Sequence, residues 1–162
     1  MPSIEKHRQR FRELHGVEAP PPQTADFCIC APTQDEAREL ATRHLGSYLD
    51  SVLEHYEVMG SHFATTKGYD AYAQAADVLH RIGESGFLKG FMQAAAWGSP
   101  DGVLKMLEAR RKLLGSFELA TSFRFGGIPY ETAEQSLRLF AREVLPVLKG
   151  WDKASERPRA VA

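Results

Sequence analysis

Between Val103 and Leu148 the spacing of apolar residues changes twice, and each change marks an element. Val103, Leu104, Met106, Leu107, Leu113 and Leu114 recur at helical spacing, with Lys105, Glu108, Arg111 and Lys112 mainly on the other side. Ser99 is a good N-cap, Pro100 has the fixed φ favoured at the first helical position, and Asp101 complements the positive end of the dipole. A helix is predicted from Pro100, with Gly115 as its stop. The period then falls to two. Phe117, Leu119, Thr121 and Phe123 share one face and Glu118, Ala120 and Ser122 the other, which predicts a strand. Gly126, Gly127 and Pro129 break the chain. Glu131 begins a second helix with Ala133, Leu137, Phe140, Ala141, Val144, Leu145 and Leu148 as its buried stripe, ending within a few residues of Pro146.

The amino-terminal part repeats the strand-to-helix step. Ser3 to His15 forms a short helix stopped by Gly16, and Pro20, Pro21 and Pro22 make a stiff connector. Ala25 to Ala31 alternates as a strand, and Pro32 ends it. Thr33 with Glu36 three residues on is a capping box for a long helix through about Tyr56, buried along Leu40, Ala41, Leu45, Tyr48, Leu49, Val52, Leu53 and Tyr56. From Met59 to Ala96 the periodicity weakens. Five glycines interrupt short helical pieces, chiefly Asp70 to Ile82, as in a lid, a binding insertion or an irregular connection. Strands flanked by amphipathic helices belong to a parallel α/β architecture, whose functional loops follow the carboxyl ends of strands, here Arg124 to Pro129.

Composition adds mainly exclusions. The chain has 162 residues, 43% hydrophobic, and a net charge of −1, enough for one domain over 1–150 with a disordered tail at 151–162. Near-neutral charge gives no argument for nucleic acid or an anionic membrane, despite Lys6, His7, Arg8, Arg10 and Arg12 on the first helix, which Glu5 and Glu13 interrupt. No apolar run reaches membrane-span length and no secretory signal opens the chain, so a cytoplasmic location is expected. Cys28 and Cys30, two apart, read as small buried hydrophobes. His44 and His55 read as packed or edge histidines, because no second ligand stands at i+4. No G-x-G-x-x-G, P-loop, G-x-S-x-G or metal-ligand cluster is present, so no metal site and no catalytic constellation is expected.

Four tracts resemble the carboxyl-terminal part of the luciferase-like, flavin-dependent monooxygenase family. They are the long helix DEARELATRHLGSYLDSVLEHY, TKGYDAY at Thr66 to Tyr72, WGSPDGVLKMLE at Trp97 to Glu108, and SFRFGGIPYETAEQSLRLFAREVLPVLK at Ser122 to Lys149. The last two are the most specific, matching a Gly-Thr-Pro-Glu-like turn and a Gly-Gly-Met-Pro-like turn, with conservative departures at Ser99, Asp101 and Ile128. The resemblance runs from about Phe11 to Trp151. It implies an α/β fold of the partial (β/α)8 TIM-barrel type, the carboxyl-terminal βα units with a helical insertion. A full barrel takes roughly 250 residues. The chain is therefore expected to be an incomplete or split copy, inactive alone, because the family's catalytic histidine and main flavin-phosphate anchors lie in an amino-terminal part not found here.

The resemblance further implies reduced FMN, or a deazaflavin in some relatives, reacting with dioxygen to oxygenate a small organic substrate, with a separate flavin reductase. It transfers no catalytic residue. Tyr69, Trp97, Arg124, Phe125 and Gly126 are the candidates to face flavin or substrate. Each also has a structural reading: core packing for Tyr69 and Trp97, an ion pair for Arg124, a tight turn for Gly126. Two alternatives accompany the enzyme reading. One is an assembly module that covers exposed sheet edges as a homo-oligomer or with a complementary chain; the other is a self-contained small α/β domain.

Overall fold

Thr33 does what its position dictates. Its hydroxyl accepts from the Glu36 N–H and the Glu36 carboxylate accepts from the Thr33 N–H, closing the capping box that starts the first long helix. In the computed structural model, which describes residues 2–58, 60 and 62–155, the order is α1 (Pro2–His15), β1 (Gln23–Cys30), α2 (Gln34–His55), α3 (His62–Thr65), α4 (Asp70–Ala94), β2 (Ala96–Gly98), α5 (Pro100–Leu114), β3 (Glu118–Ser122), α6 (Tyr130–Leu139), a π-helical turn (Phe140–Val144) and α7 (Leu145–Ser155). Ser99 caps α5 through the Gly102 N–H, and Gly115, at φ 75°, follows its last residue.

The sheet is parallel, with β1 between β2 and β3. β1 uses its two halves differently: Gln23 to Phe27 pair with Glu118 to Ser122, and Cys28 to Cys30 pair with Ala96 to Gly98. Helices cover both faces. On one side Ile29 packs with Ala41 and Leu45 of α2, and Phe27 joins that cluster with Leu88, Phe91 and Met92 of α4. On the other, Cys28 and Cys30 pack with Val103 and Leu107 of α5 and with Phe140 and Val144 of the π turn.

This corrects the expected partial TIM barrel. Successive barrel units lay strands side by side in chain order, with every helix on the outside. Here the first strand is central and both its faces are roofed by helices, so the structure is a mostly helical α/β fold around a small open three-stranded sheet. The strand β2 was not among the expected elements. It has three residues, Ala96 to Gly98, too few to show alternation. The irregular region is more ordered than its glycines suggest, since α4 runs through to Ala94 with one break at Gly83, where φ is 71°.

Pro146 does not end the last helix. A proline there has no N–H to give and would press its ring on the carbonyl of Arg142 in a regular helix. The π turn just before it widens the spiral, so that the Leu145 N–H reaches the Phe140 carbonyl, and α7 continues to Ser155. The expected tail at 151–162 is helical as far as Ser155, and its remainder lies outside the described residues. Among the described residues no helix is long and apolar enough to cross a membrane.

Candidate functional site

In an open parallel sheet the natural place for a ligand is the crevice beyond the carboxyl ends of the strands, at the point where successive crossovers leave for opposite faces. Here that place is filled by the chain itself. On the β3 side Cys30 has no strand neighbour, and its N–H donates instead to Ser136 Oγ of α6 at 2.7 Å. The loop after β3 delivers Phe125 and Ile128, 8% and 4% exposed, into the cluster between the sheet and α2, and Ala133 of α6 joins them. The Phe125 and Phe27 ring centroids are 4.4 Å apart, and Phe27 lies equally close to Tyr48. Tyr48 is stacked on Phe91 at 5.9 Å.

The five sequence candidates divide three ways. Trp97, Phe125 and Gly126 meet on the α2 and α4 side. The indole N–H of Trp97 donates to the Met92 carbonyl at 2.8 Å, which ties the end of α4 to β2. Gly126, at φ 51°, lies so close to α2 that a Cβ there would stand 1.9 Å from the His44 carbonyl oxygen. Its own carbonyl accepts from Nδ1 of His44, a buried side chain, at 2.9 Å. Arg124 points out of this cluster, with its guanidinium carbon 3.8 Å above the Tyr130 ring. Tyr69, 44% exposed, belongs to a separate group with Phe63 and Tyr72 at the start of α4.

A flavin requires a slot that admits a three-ring plane and reaches a phosphate anchor. Trp97, Phe125 and Gly126 provide none, because their space is occupied by neighbouring side chains and by the α2 backbone. Tyr69 and Arg124 are the two of the five with exposed side chains, and they belong to different clusters. Within this chain three of the five meet at the strand ends, and the other two lie in separate clusters.

Two polar features escaped the sequence reading. Asp26 of β1 and Arg110 of α5 form a bidentate ion pair, with Nη2 to Oδ1 at 2.8 Å and Nη1 on the other oxygen, and their side chains are only 5% and 17% exposed. Arg110 also donates to the Ala94 carbonyl, so the pair joins β1, α4 and α5. The signal was faint: one aspartate on an otherwise apolar strand face. Gln34 is the second, its Oε1 accepting from the Ser99 N–H at the head of α5. Both tie elements of the fold together.

The thiols offer no nucleophile. Burial pushes Cys30 up to about 11 and Cys28 higher still, so both stay protonated and inert near neutral pH. Among the described residues no three His, Cys, Asp or Glu side chains are grouped to hold a metal ion. An open groove of about 720 Å³ lies on the opposite side of the sheet, between β3, α5 and the helix of the π turn and α7. None of the five candidates lines it.

No protein-family model matches the chain, and no curated protein matches it. Among solved structures it is similar to the monooxygenase RslO1 from Streptomyces bottropensis, with 19% identity and a TM-score of 0.52 over 90% of this chain. The chain spans 38% of the length of that protein. At this identity the likeness is one of fold.

Proposed function

We propose that this chain is a scaffold unit of a flavin-dependent monooxygenase, a class that uses reduced FMN or a deazaflavin with dioxygen on a small organic substrate. The observation that carries the proposal is the superposition of 90% of the chain on a monooxygenase, beside four sequence tracts that resemble flavin-dependent monooxygenases of the luciferase-like family. The filled crevice gives the unit its character. Its strand ends are plugged by Phe125, Ile128 and Ser136, so it supplies a folded wall and no step of the oxygenation is assigned to its residues. Arg124 is the residue with the charge and exposure to meet a flavin phosphate from outside.

Quenching of FMN fluorescence by the purified chain tests this. Saturable binding is expected in the range of about 0.1–1 mM, less than about 6 kcal/mol, because one face of a site is available rather than an enclosed pocket. Replacing Arg124 with alanine should weaken it several-fold. Absence of any saturable quenching by the folded chain would remove the flavin reading. A micromolar one-to-one complex would instead show that the chain builds a cradle of its own, and the scaffold reading would fall.

A further inference from the structure

The outer edge of β3 carries few of the devices that keep sheet edges apart. Phe117 to Phe123 contains no proline and no lysine, and its one charge is Glu118. The Glu118 N–H donates to the Pro22 carbonyl, so Glu118, Ala120 and Ser122 turn their backbone groups to the β1 side. Leu119 and Thr121 therefore turn theirs outward. Beside this edge lies the 720 Å³ groove, lined by Leu119, Phe123, Phe140, Leu148 and Trp151 among others. Leu137, on a stripe the sequence writes as buried, is 47% exposed at its rim.

We propose that this edge and groove are the interface of a twofold homodimer, in which β3 pairs antiparallel with β3 of a second copy about Ala120 to make one six-stranded sheet. The strand is complementary to itself in that register. Leu119 faces Thr121 of the second copy, and these are the residues with outward backbone groups, so each such pair exchanges both hydrogen bonds. Ala120 faces its own copy in the close pair, where Cα atoms approach to about 4.5 Å and a small side chain is needed. Glu118 faces Ser122, so the strand's one charge never meets itself. Around the groove the rim is mixed in sign, Lys149 and Arg111 against Glu118, which lets the rim of one copy meet the opposite sign on the other. The twofold axis stands perpendicular to the sheet. It keeps both grooves on the same face and brings them side by side, closing apolar surface that a single chain leaves wet.

This interface is independent of the flavin reading, and its test does not involve flavin. Light scattering after size exclusion at tens of micromolar should give twice 18.1 kDa. Ala120 is exposed in the single chain, so A120K should fold with an unchanged circular dichroism spectrum yet return the mass to 18.1 kDa, because two lysines would face each other at the axis. In A120C, oxidised glutathione should link the two copies covalently, since residues in such a pair have Cβ atoms about 4.5 Å apart and the native thiols are buried. A monomeric native chain would overturn the proposal. So would a dimer whose mass A120K leaves unchanged, or one in which A120C does not cross-link.

Discussion

β1 and β3 look alike in sequence, both alternating apolar and polar residues, yet they finish in opposite circumstances. β1 is central, with Cys28, Ile29 and Cys30 at most 2% exposed, while β3 has one covered face and alternates exposed and half-buried along its whole length. The difference comes from neighbours. α2 and α4 roof one side of β1 and α5 with the π turn the other, whereas β3 stands at the margin with Glu118, Ala120 and Ser122 bare. Alternation records which side chains point together. It does not record how many layers will cover them.

If the comparison is sound, changes around β1 should be costly and changes on the bare face of β3 should not. The largest effect is expected for Gly126→Ala. Its Cβ would be driven into the α2 backbone from a left-handed conformation, and a loss on the order of 4 kcal/mol should appear as a lower denaturant midpoint. An unchanged midpoint would mean that α2 does not press on this loop. Next comes Asp26→Leu, which strands the buried Arg110 guanidinium and should cost about 3 kcal/mol, with the double substitution Asp26→Leu and Arg110→Met recovering much of it. If the double variant is no better than the single one, the pair is not what the site requires.

Ser136→Ala should cost about 1–2 kcal/mol by leaving the buried Cys30 N–H without an acceptor, measured in the same way. The thiols give a pH signature. Cys30 is raised from 9.0 to about 11, so unfolded chains release its proton first as the solution turns alkaline. Its contribution is complete below pH 9 and is lost as pH rises through about 11, so Cys30→Ala should make the alkaline fall shallower, with Cys28, raised further, supplying the remainder. The smallest effect belongs to β3. Ser122→Ala, on the bare face, should change stability by less than about 0.5 kcal/mol.

What could be read in advance follows the range of the interaction. The capping box at Thr33, the Ser99 cap and the Gly115 stop are local, and the chain writes them within a few residues. Strand order is not local. Nothing in Ala25 to Ala31 tells that β1 will sit between its two successors, and the barrel expectation failed on that point. The surroundings of the candidate residues were no more local. Trp97, Phe125 and Gly126 do gather at the strand ends, but the close approach of α2 that fills the space between them is a contact across 82 positions, between His44 and Gly126. Asp26 and Arg110, 84 positions apart, were hidden for the same reason.

The π turn ahead of Pro146 sets the rotational phase of everything after it. Were Phe140–Val144 to tighten into a regular spiral with no residue removed, the residue that the wide turn absorbs would carry over and swing α7 by about 100° about its own axis. Leu148 and Trp151 would leave the groove, and the Arg111 guanidinium, 5.1 Å from the Trp151 ring, would lose the surface it rests on. A single-residue deletion there would instead remove the residue that the wide turn absorbs and leave the phase of α7 as it is.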